Sequence, residues 1–265
     1  MHPIVVNMGF PVHTYGVFVA LAFLLGIKVT LDRSTKASLD KDLVMNLSLL
    51  ILVSSVSGAR LLYVAENWNY FQQRLWEILM VHRGGLSYFG GFVTAIFACI
   101  SLLRCKAIKF LPLADIFMPA LALGQAIGRL GCYFNGCCFG KTTSGFWGVM
   151  FPRGSIVFSE HVSRGWVAPF WLYSLPVIPC QLISSFVDIV LFCLLIAIDN
   201  RKKIPGTTFF SYLVGYGVIR FFLEFLRADS PPLALGWTLP QIIGLMSLFL
   251  GLVGLRRSMI KRPLA

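Results

Sequence analysis

Charged residues between Arg220 and Arg227 are spaced so that they share one face of a helix. Glu224 follows Arg220 by four residues and precedes Arg227 by three, so it can pair with either arginine while the other guanidinium faces a ligand. An ion pair that satisfies only itself is the alternative. Arg129 favours a ligand, because it lies in a different apolar stretch with no acidic residue close to it in sequence. These residues predict an anionic ligand, and the planar guanidinium suits phosphate.

A glycine- and cysteine-rich segment surrounds Arg129 and reads GRLGCYFNGCCFG over residues 128–140. Its glycines permit tight turns and a close approach of the backbone, which is typical of a helix that breaks to line a site. A second glycine-rich block, GGLSYFGG, occupies residues 84–91 and has the same character. Gly90 and Gly91 could equally serve the packing of one helix against another.

The composition indicates that a membrane surrounds these residues. Of the 265 residues 57% are hydrophobic and only 13% are charged, and the mean hydropathy is +0.78, so the polar surface of a soluble protein is missing. The formal net charge is +12. Its basic residues stand in short runs between apolar stretches, which argues against nucleic acid as a partner and favours anionic phospholipid.

Several apolar stretches are long enough to cross a bilayer, for which about 20 residues are needed. They predict an all-α integral membrane protein with about seven transmembrane helices, in a single membrane domain over residues 1–265. The long connection at about 131–180 is expected to form a small extracytoplasmic cap. The predicted segments are at about 15–31, 43–63, 86–103, 110–130, 181–198, 207–226 and 239–255.

Basic loops predict the orientation of these helices. Lysine and arginine follow the first, third, fifth and seventh predicted segments, at positions 33–41, 104–109, 201–203 and 256–262. By the positive-inside rule this side of the membrane is cytoplasmic. The amino terminus is therefore expected outside and the carboxyl terminus inside.

The orientation places the polar residues of the segments at one depth, in the outer leaflet. Ionisable groups inside spans are costly, and they usually face the interior of a bundle or a polar cavity. A shared cavity is therefore expected. Its predicted members are Tyr15, Arg60, residues 87–91, Arg129, Gln181, Arg220 and Glu224.

Four cysteines are expected on the outer side, where thiols can be oxidised. A disulfide among them and a role as small packing residues are both consistent with the sequence. The spacing of five residues and then one differs from the paired Cys-x-x-Cys half-sites of zinc proteins, so a metal site is the weaker alternative and none is predicted. These cysteines are Cys132, Cys137, Cys138 and Cys180.

Short motifs distributed along nearly the whole chain agree in order and spacing with those of one known family. They are His2-Pro3, His13-Thr14-Tyr15-Gly16, Gly58-Ala59-Arg60, residues 84–87, Gly128-Arg129-Leu130-Gly131, Phe151-Pro152, residues 179–182, Gly215-Tyr216-Gly217, residues 220–224 and Gln241. The chain thus resembles the bacterial prolipoprotein diacylglyceryl transferases. That family's seven spans, with the amino terminus outside, agree with the arrangement inferred from the loop charges.

The resemblance implies a specific reaction in the bacterial inner membrane. Enzymes of this family move the diacylglyceryl group of phosphatidylglycerol to the thiol of the lipobox cysteine in a preprolipoprotein and release glycerol phosphate. Neither a metal nor an organic cofactor is implied.

Arg129 and Arg220 match the family's essential arginines, and the match implies phosphate recognition and stabilisation of the leaving group. Glu224 would orient an arginine, and Tyr15 would offer a hydrogen bond. The other implied substrate-binding residues are Arg60, Asn135 and Gln181.

The chain also departs from the family's pattern. Phe89 stands where well-known members have a histidine that is a proposed base, and Cys132 and Cys137 replace the family's Asn and Glu. The acceptor thiol would then lose its proton to His82, to His13 or to water, with His82 as the candidate base. The departure leaves a second hypothesis open, namely a membrane protein that binds anionic lipid or a lipobox-like peptide without transfer.

Overall fold

Helices form at all seven predicted segments. The structure is a computed structural model that describes residues 4–7, 11–81, 84–201, 204–228, 232–234 and 236–260. In chain order its helices are α1 (Thr14–Lys36), α2 (Lys41–Glu66), α3 (Trp68–Phe71), a 3-10 helix (Leu75–Leu79), α4 (Tyr88–Cys105), α5 (Phe110–Asn135), α6 (Ile156–Ser163), α7 (Cys180–Arg201), α8 (Thr207–Glu224) and α9 (Leu239–Ile260).

Most of the long helices have the length and composition of membrane spans. Five of them, α1, α2, α5, α7 and α9, are long and apolar enough to cross a bilayer, and α4 contains a shorter apolar helix at Phe89–Cys105. The α8 helix has 18 residues, which include Arg220 and Glu224. Large apolar side chains such as Phe97 and Phe249 are exposed on these helices, as expected where lipid surrounds the protein. The prediction of an all-α membrane protein is confirmed.

Two short hairpins complete the regular structure of the described residues. Strand β1 (Ile4–Asn7) pairs antiparallel with β2 (Pro11–His13), directly before α1. Strand β3 (Pro232–Ala234) pairs with β4 (Trp237–Thr238), directly before α9. Neither hairpin is predicted from the sequence, because strands of two to four residues carry too little periodicity to be recognised.

The described residues cluster into two compact units. One unit comprises Met1–Thr30 with Leu111–Ala265, and the other comprises Leu31–Phe110. In the second unit, α2 packs against α4 at glycines that bring the two backbones close together. A Cβ atom on Gly90 would lie 2.3 Å from the carbonyl oxygen of Gly58, and one on Gly91 would lie 2.8 Å from that of Ser55. The interpretation of Gly90 and Gly91 as packing residues is therefore correct.

In the first unit, α8 packs along α9 and against α7. A Cβ atom on Gly217 would lie 2.6 Å from the carbonyl oxygen of Gly244, so small residues again set the distance between helices. The buried Asp115 carboxylate fixes the beginning of α8, because its two oxygens accept from the backbone amides of Gly206 at 2.6 Å and Phe209 at 2.8 Å. These contacts fix α8 beside α5 and α7.

The segment between α5 and α7, residues 136–179, is mostly irregular and has a hydrophobic core of its own. That core consists of Phe139, Phe151, Val157 and Val177. The predicted cap at 131–180 begins later than expected, because α5 continues through Gly131 and ends at Asn135. The predicted break of this helix accordingly falls at Gly136, where φ is 73°.

Candidate active site

Glu224 lies between two arginines at the end of α8. Its Oε2 atom is 3.2 Å from a terminal nitrogen of Arg220 and 3.9 Å from Nε of Arg227, and its side chain is fully buried. The other carboxylate oxygen accepts a hydrogen bond from the Thr238 hydroxyl at 3.1 Å. Gln241 accepts in turn from the Thr238 backbone amide at 3.0 Å. One carboxylate thus stands beside two guanidinium groups, as the spacing predicted.

A narrow cavity beside this cluster brings Arg220 together with Arg129. Polar groups from α5, α7 and α8 converge on it, and its volume is about 20 Å³. The hydroxyl of Tyr212, which stacks on the ring of Tyr216, donates to Gln125 at 3.1 Å and so holds one wall. The cavity is lined by Gln125, Arg129, Ser184, Asp188, Tyr216, Ile219, Arg220 and Leu223.

Asp188 is a second carboxylate in this cavity, and it is not among the site residues predicted from the sequence. It is buried in α7, within electrostatic range of both Arg129 and Arg220. Its signal was present in the sequence, because Gln181, Ser184 and Asp188 follow at spacings of three and four and so form a polar stripe on an apolar helix. Arg129 therefore has an acidic neighbour, although it has none nearby in the sequence.

Tyr15 of α1 lies close to Arg129 and to the cysteines at the end of α5. Its phenol is within electrostatic range of Arg129 and of the thiols of Cys132, Cys137 and Cys138. The close approach of α1 to α5 depends on Gly131, because a Cβ atom there would lie 3.0 Å from Cβ of Phe18 and 3.2 Å from the Tyr15 ring. The structure therefore brings Tyr15, Arg129, Arg220 and Glu224 together in one unit.

Gln181 and Asn135 are next to the turn that follows α5. The buried Gln181 amide donates to the carbonyl of Cys137 at 2.7 Å, and the Asn135 side chain contacts the Cys137 thiol. Gln181 therefore holds the turn that carries the cysteines. The seven cysteines, all among the described residues, form no disulfide with one another. The Cys180 thiol is directed elsewhere, to the Leu226 carbonyl at 3.5 Å.

Arg60 belongs to the second unit, where backbone carbonyls surround its guanidinium. It donates to the carbonyls of Ile78 at 2.8 Å, Gly84 at 2.7 Å and Gly85 at 3.0 Å, and also to that of Glu77. The guanidinium carbon is 5.2 Å from the ring centre of Phe71 and 5.9 Å from that of Tyr63. These contacts hold the loop between α3 and α4, and ligand binding by Arg60 stays a prediction.

The predicted proton acceptors cannot be placed around this site. His82 lies outside the described residues, and so does the side chain of His13, whose backbone ends β2. Phe89 lies in the first turn of α4 with 58% of its surface exposed. His2 also lies outside the described residues. His161 is buried in the segment between α5 and α7, where burial lowers its pKa, and its Nδ1 accepts from the Leu175 amide at 3.3 Å.

A larger cavity, of about 440 Å³, is present in the second unit at the end of α4. Arg104 is the only charged residue that lines it, and the other lining residues are apolar. It lacks convergent polar groups, which a site for phosphate chemistry requires. We therefore take the cavity at Arg129 and Arg220 as the candidate active site.

Comparison with known proteins identifies relatives along nearly the whole chain. The family model described as prolipoprotein diacylglyceryl transferase matches residues 3–257. A protein of Finegoldia magna is 33% identical over 223 residues, which are 84% of this chain and 82% of the relative. A protein of Listeria welshimeri is 30% identical over 99% of this chain and 92% of its own length. A protein of a Nostoc species is 31% identical over 99% and 91%. All three are named phosphatidylglycerol–prolipoprotein diacylglyceryl transferase.

Proposed function

The chain belongs to the prolipoprotein diacylglyceryl transferase family, and we propose that it transfers the diacylglyceryl group of phosphatidylglycerol to the lipobox cysteine of preprolipoproteins. The observation that carries this proposal is the group of arginines and carboxylates at the ends of α5 and α8, in a chain that matches the family from residue 3 to residue 257. This group forms a phosphate site within the membrane, and the helices that build the site are surrounded by lipid.

The reaction makes a thioether and releases a phosphate ester. The sulfur of the acceptor cysteine attacks the glycerol carbon that is esterified to phosphate, and the carbon–oxygen bond breaks. The bonding electrons pass to the phosphate oxygen, so negative charge grows on glycerol phosphate as it leaves. Preorganised positive charge at that oxygen is the principal way in which a protein can accelerate such a step.

Arg129 and Arg220 are the groups that would stabilise this charge. They stand on two helices around one cavity, so that two guanidinium forks can bind one phosphate from different directions. Glu224 and Asp188 keep the arginines oriented and partly neutralised between turnovers. At about 20 Å³ the cavity admits water but not a phosphate, so the headgroup would bind at its mouth or move these side chains apart. Tyr15 would add a hydrogen bond from α1.

Orientation in the membrane is the second part of the proposal. The chain is a multi-pass membrane protein, and we infer an inner-membrane location with the amino terminus outside. The support is the clustering of basic residues after the first, third, fifth and seventh long helices. This orientation presents the site to the outer leaflet, where the cysteine of an exported precursor arrives.

Purified protein tests the proposed reaction directly. Incubated with phosphatidylglycerol vesicles and a lipobox peptide, it should increase the mass of the peptide by one diacylglyceryl group and release an equal amount of glycerol phosphate. A peptide with serine in place of the lipobox cysteine should remain unmodified. Binding of the peptide or of the lipid without a mass change would instead support the non-catalytic alternative, which the phenylalanine at position 89 keeps open.

A further inference from the structure

Three cysteines converge at the end of α5. Cys132 lies in the last turn of that helix, and the chain reverses at Gly136 before Cys137 and Cys138. The three Sγ atoms all lie within 4.8 Å of one another. The backbone amide of Cys137 donates to the carbonyl of Cys132 at 3.2 Å, and the carbonyl of Cys137 accepts from the Gln181 side chain of α7 at 2.7 Å. The turn is therefore fixed from two sides while it gathers three thiols.

The third thiol is held by an unfavourable backbone conformation. Cys138 has a φ of 60°, in the left-handed region that residues other than glycine seldom occupy. Such strain persists where the surrounding structure determines it, and it concentrates at functional sites. A disulfide would need only two of the three sulfurs, and packing would need none in this conformation. The convergence of all three is what a shared ligand would require.

Positively charged side chains lie next to the three cysteines. Arg129 precedes Cys132 by three residues on α5, and Arg227 forms a backbone bridge with Gly140. The guanidinium groups of Arg227 and Arg129 both lie within electrostatic range of the Cys138 thiol. Three thiolates around a divalent ion have a net charge of −1, which a neighbouring guanidinium can offset.

We propose that Cys132, Cys137 and Cys138 form a three-thiolate site for a thiophilic divalent metal ion, with Zn²⁺ as the probe. Sulfur binds zinc at about 2.3 Å, so three sulfurs around one ion stand about 4 Å apart, and the observed cluster needs little adjustment. Soft thiolate ligands select such ions over magnesium or calcium. Three protein ligands leave the fourth position of a tetrahedral ion open, as in catalytic zinc sites.

The open position suits the acceptor thiol, and this role rests on the proposed function. The lipobox thiol would displace water from the metal and release its proton to solvent, because a thiol that coordinates zinc is deprotonated. The metal-bound sulfur would then attack the glycerol carbon, and the electron pair of the broken carbon–oxygen bond would leave on glycerol phosphate. No residue acting as a base is needed for this step.

Metal analysis of the purified protein tests the site independently of transfer. The protein, isolated under reducing conditions and supplied with Zn²⁺, should retain about one zinc per chain after gel filtration. Co²⁺ in place of Zn²⁺ should give the sulfur-to-cobalt charge-transfer absorption. Cys137→Ser and Cys138→Ser should each lose this absorption, whereas the control Cys193→Ser, at an exposed position on α7, should keep it.

Transfer assays on the same preparations separate this inference from the proposed function. Chelation of the unmodified protein should lower lipidation about 10²-fold or more, and Zn²⁺ should restore it, which avoids any question of misfolded variants. Lipidation by a metal-free protein would overturn the role of the metal in transfer, and a disulfide between two of the three cysteines with no bound zinc would overturn the metal site itself. Lipidation in either case would leave the transferase intact. Zinc bound through the three thiolates without any lipidation would keep the site and refute the transferase.

Discussion

Charge at the candidate site is balanced by very few side chains. Glu224 is fully buried between Arg220 and Arg227, and Asp188 provides the second negative charge near Arg129. Two carboxylates therefore face three guanidinium groups, which leaves one positive charge in excess. A phosphate diester carries one negative charge, so a bound lipid headgroup neutralises this excess when the neighbouring cysteines are uncharged thiols. This balance favours anionic phospholipids over zwitterionic ones as donors.

Replacement of Glu224 should destabilise the protein, because it leaves two largely buried arginines without their shared partner. Glu224→Gln keeps the size of the side chain and an acceptor for Thr238, yet it removes the charge. We expect a loss of about 3 kcal/mol, in the range for the breaking of a buried pair, to appear as a lower unfolding temperature in detergent.

A matched control is the exposed pair of Glu160 and Arg164 on α6, whose side chains are 41% and 36% exposed. Glu160→Gln should change the stability by at most about 1 kcal/mol, because solvent screens such pairs. Equal losses of stability in the Glu224 and Glu160 variants would show that burial does not strengthen the interactions of Glu224.

Removal of the Arg129 guanidinium should affect the rate rather than the fold. Arg129→Ala should lower the rate of lipidation about 10²–10³-fold, as expected for the loss of one group that stabilises charge in the transition state. Arg129→Lys should recover only part of the rate, because an ammonium lacks the planar fork. Arg153→Ala, an exposed arginine between α5 and α6, is the control. Unimpaired turnover in Arg129→Ala would exclude this residue from the reaction.

Local spacing was informative for some residues of the site and not for others. The shared face of Arg220, Glu224 and Arg227 follows from helical geometry, because neighbours three and four residues apart must meet. The neighbours of Arg129 come from α7 and α8, and the partners of Arg60 are backbone carbonyls of a distant loop. Such partners depend on tertiary packing, which no local pattern specifies.

At the scale of helices, glycine decides how closely two of them approach. The α2 and α4 backbones meet at Gly58 and Gly90, and the hydroxyl of Thr94 donates to the carbonyl of Ser54 at 2.8 Å across the same contact. In a membrane such contacts replace the hydrophobic effect as the force between helices, because lipid is as apolar as the side chains. Small residues therefore determine which faces of α2 and α4 pack against each other.

Gly90→Ala should separate α2 from α4, because the added methyl group would lie 2.3 Å from a backbone oxygen that cannot rotate away. We expect a loss of about 1–3 kcal/mol, in the range for overpacking, measured as thermal unfolding in detergent. Gly124→Ala is the control, since a Cβ atom there meets nothing within 4 Å and alanine favours a helix by up to about 1 kcal/mol. A neutral Gly90→Ala would mean that the helices are not in close contact.

Hydropathy located the long helices well but not all of their ends. The predicted fourth segment stops at residue 130, whereas α5 continues to Asn135. Gly131 resembles a helix breaker in the sequence, yet its missing side chain makes room for Tyr15 and Phe18 of α1. The helix breaks at Gly136 instead, where φ is positive. A glycine that serves packing and one that serves a turn are identical in sequence, so only the fold distinguishes them.

For the whole molecule, composition and loop charge indicate how the helices are oriented in the membrane. Basic residues stand near the carboxyl-terminal ends of α1, α4, α7 and α9, and the site residues stand near the carboxyl-terminal ends of α5 and α8. In the predicted topology of seven alternating spans, α1, α4, α7 and α9 end on the cytoplasmic side, whereas α5 and α8 end on the other side. Whether that other side is outside the cell decides whether the site can meet an exported precursor.

Labelling of intact cells tests this orientation. Ser159→Cys places a thiol at an exposed position of α6, and Ser38→Cys places one at an exposed position in the turn between α1 and α2. A membrane-impermeant thiol reagent should label the Ser159 variant above the wild-type background and leave the Ser38 variant at background. After the cells are opened, both variants should be labelled, which controls for thiols that are merely buried. The positive-inside rule supplies the expectation, because the four runs of basic residues all lie in short loops on one side. Labelling of the Ser38 variant alone in intact cells would reverse the orientation and place the arginine cluster on the cytoplasmic side, where the cysteine of an exported precursor could not reach it after export.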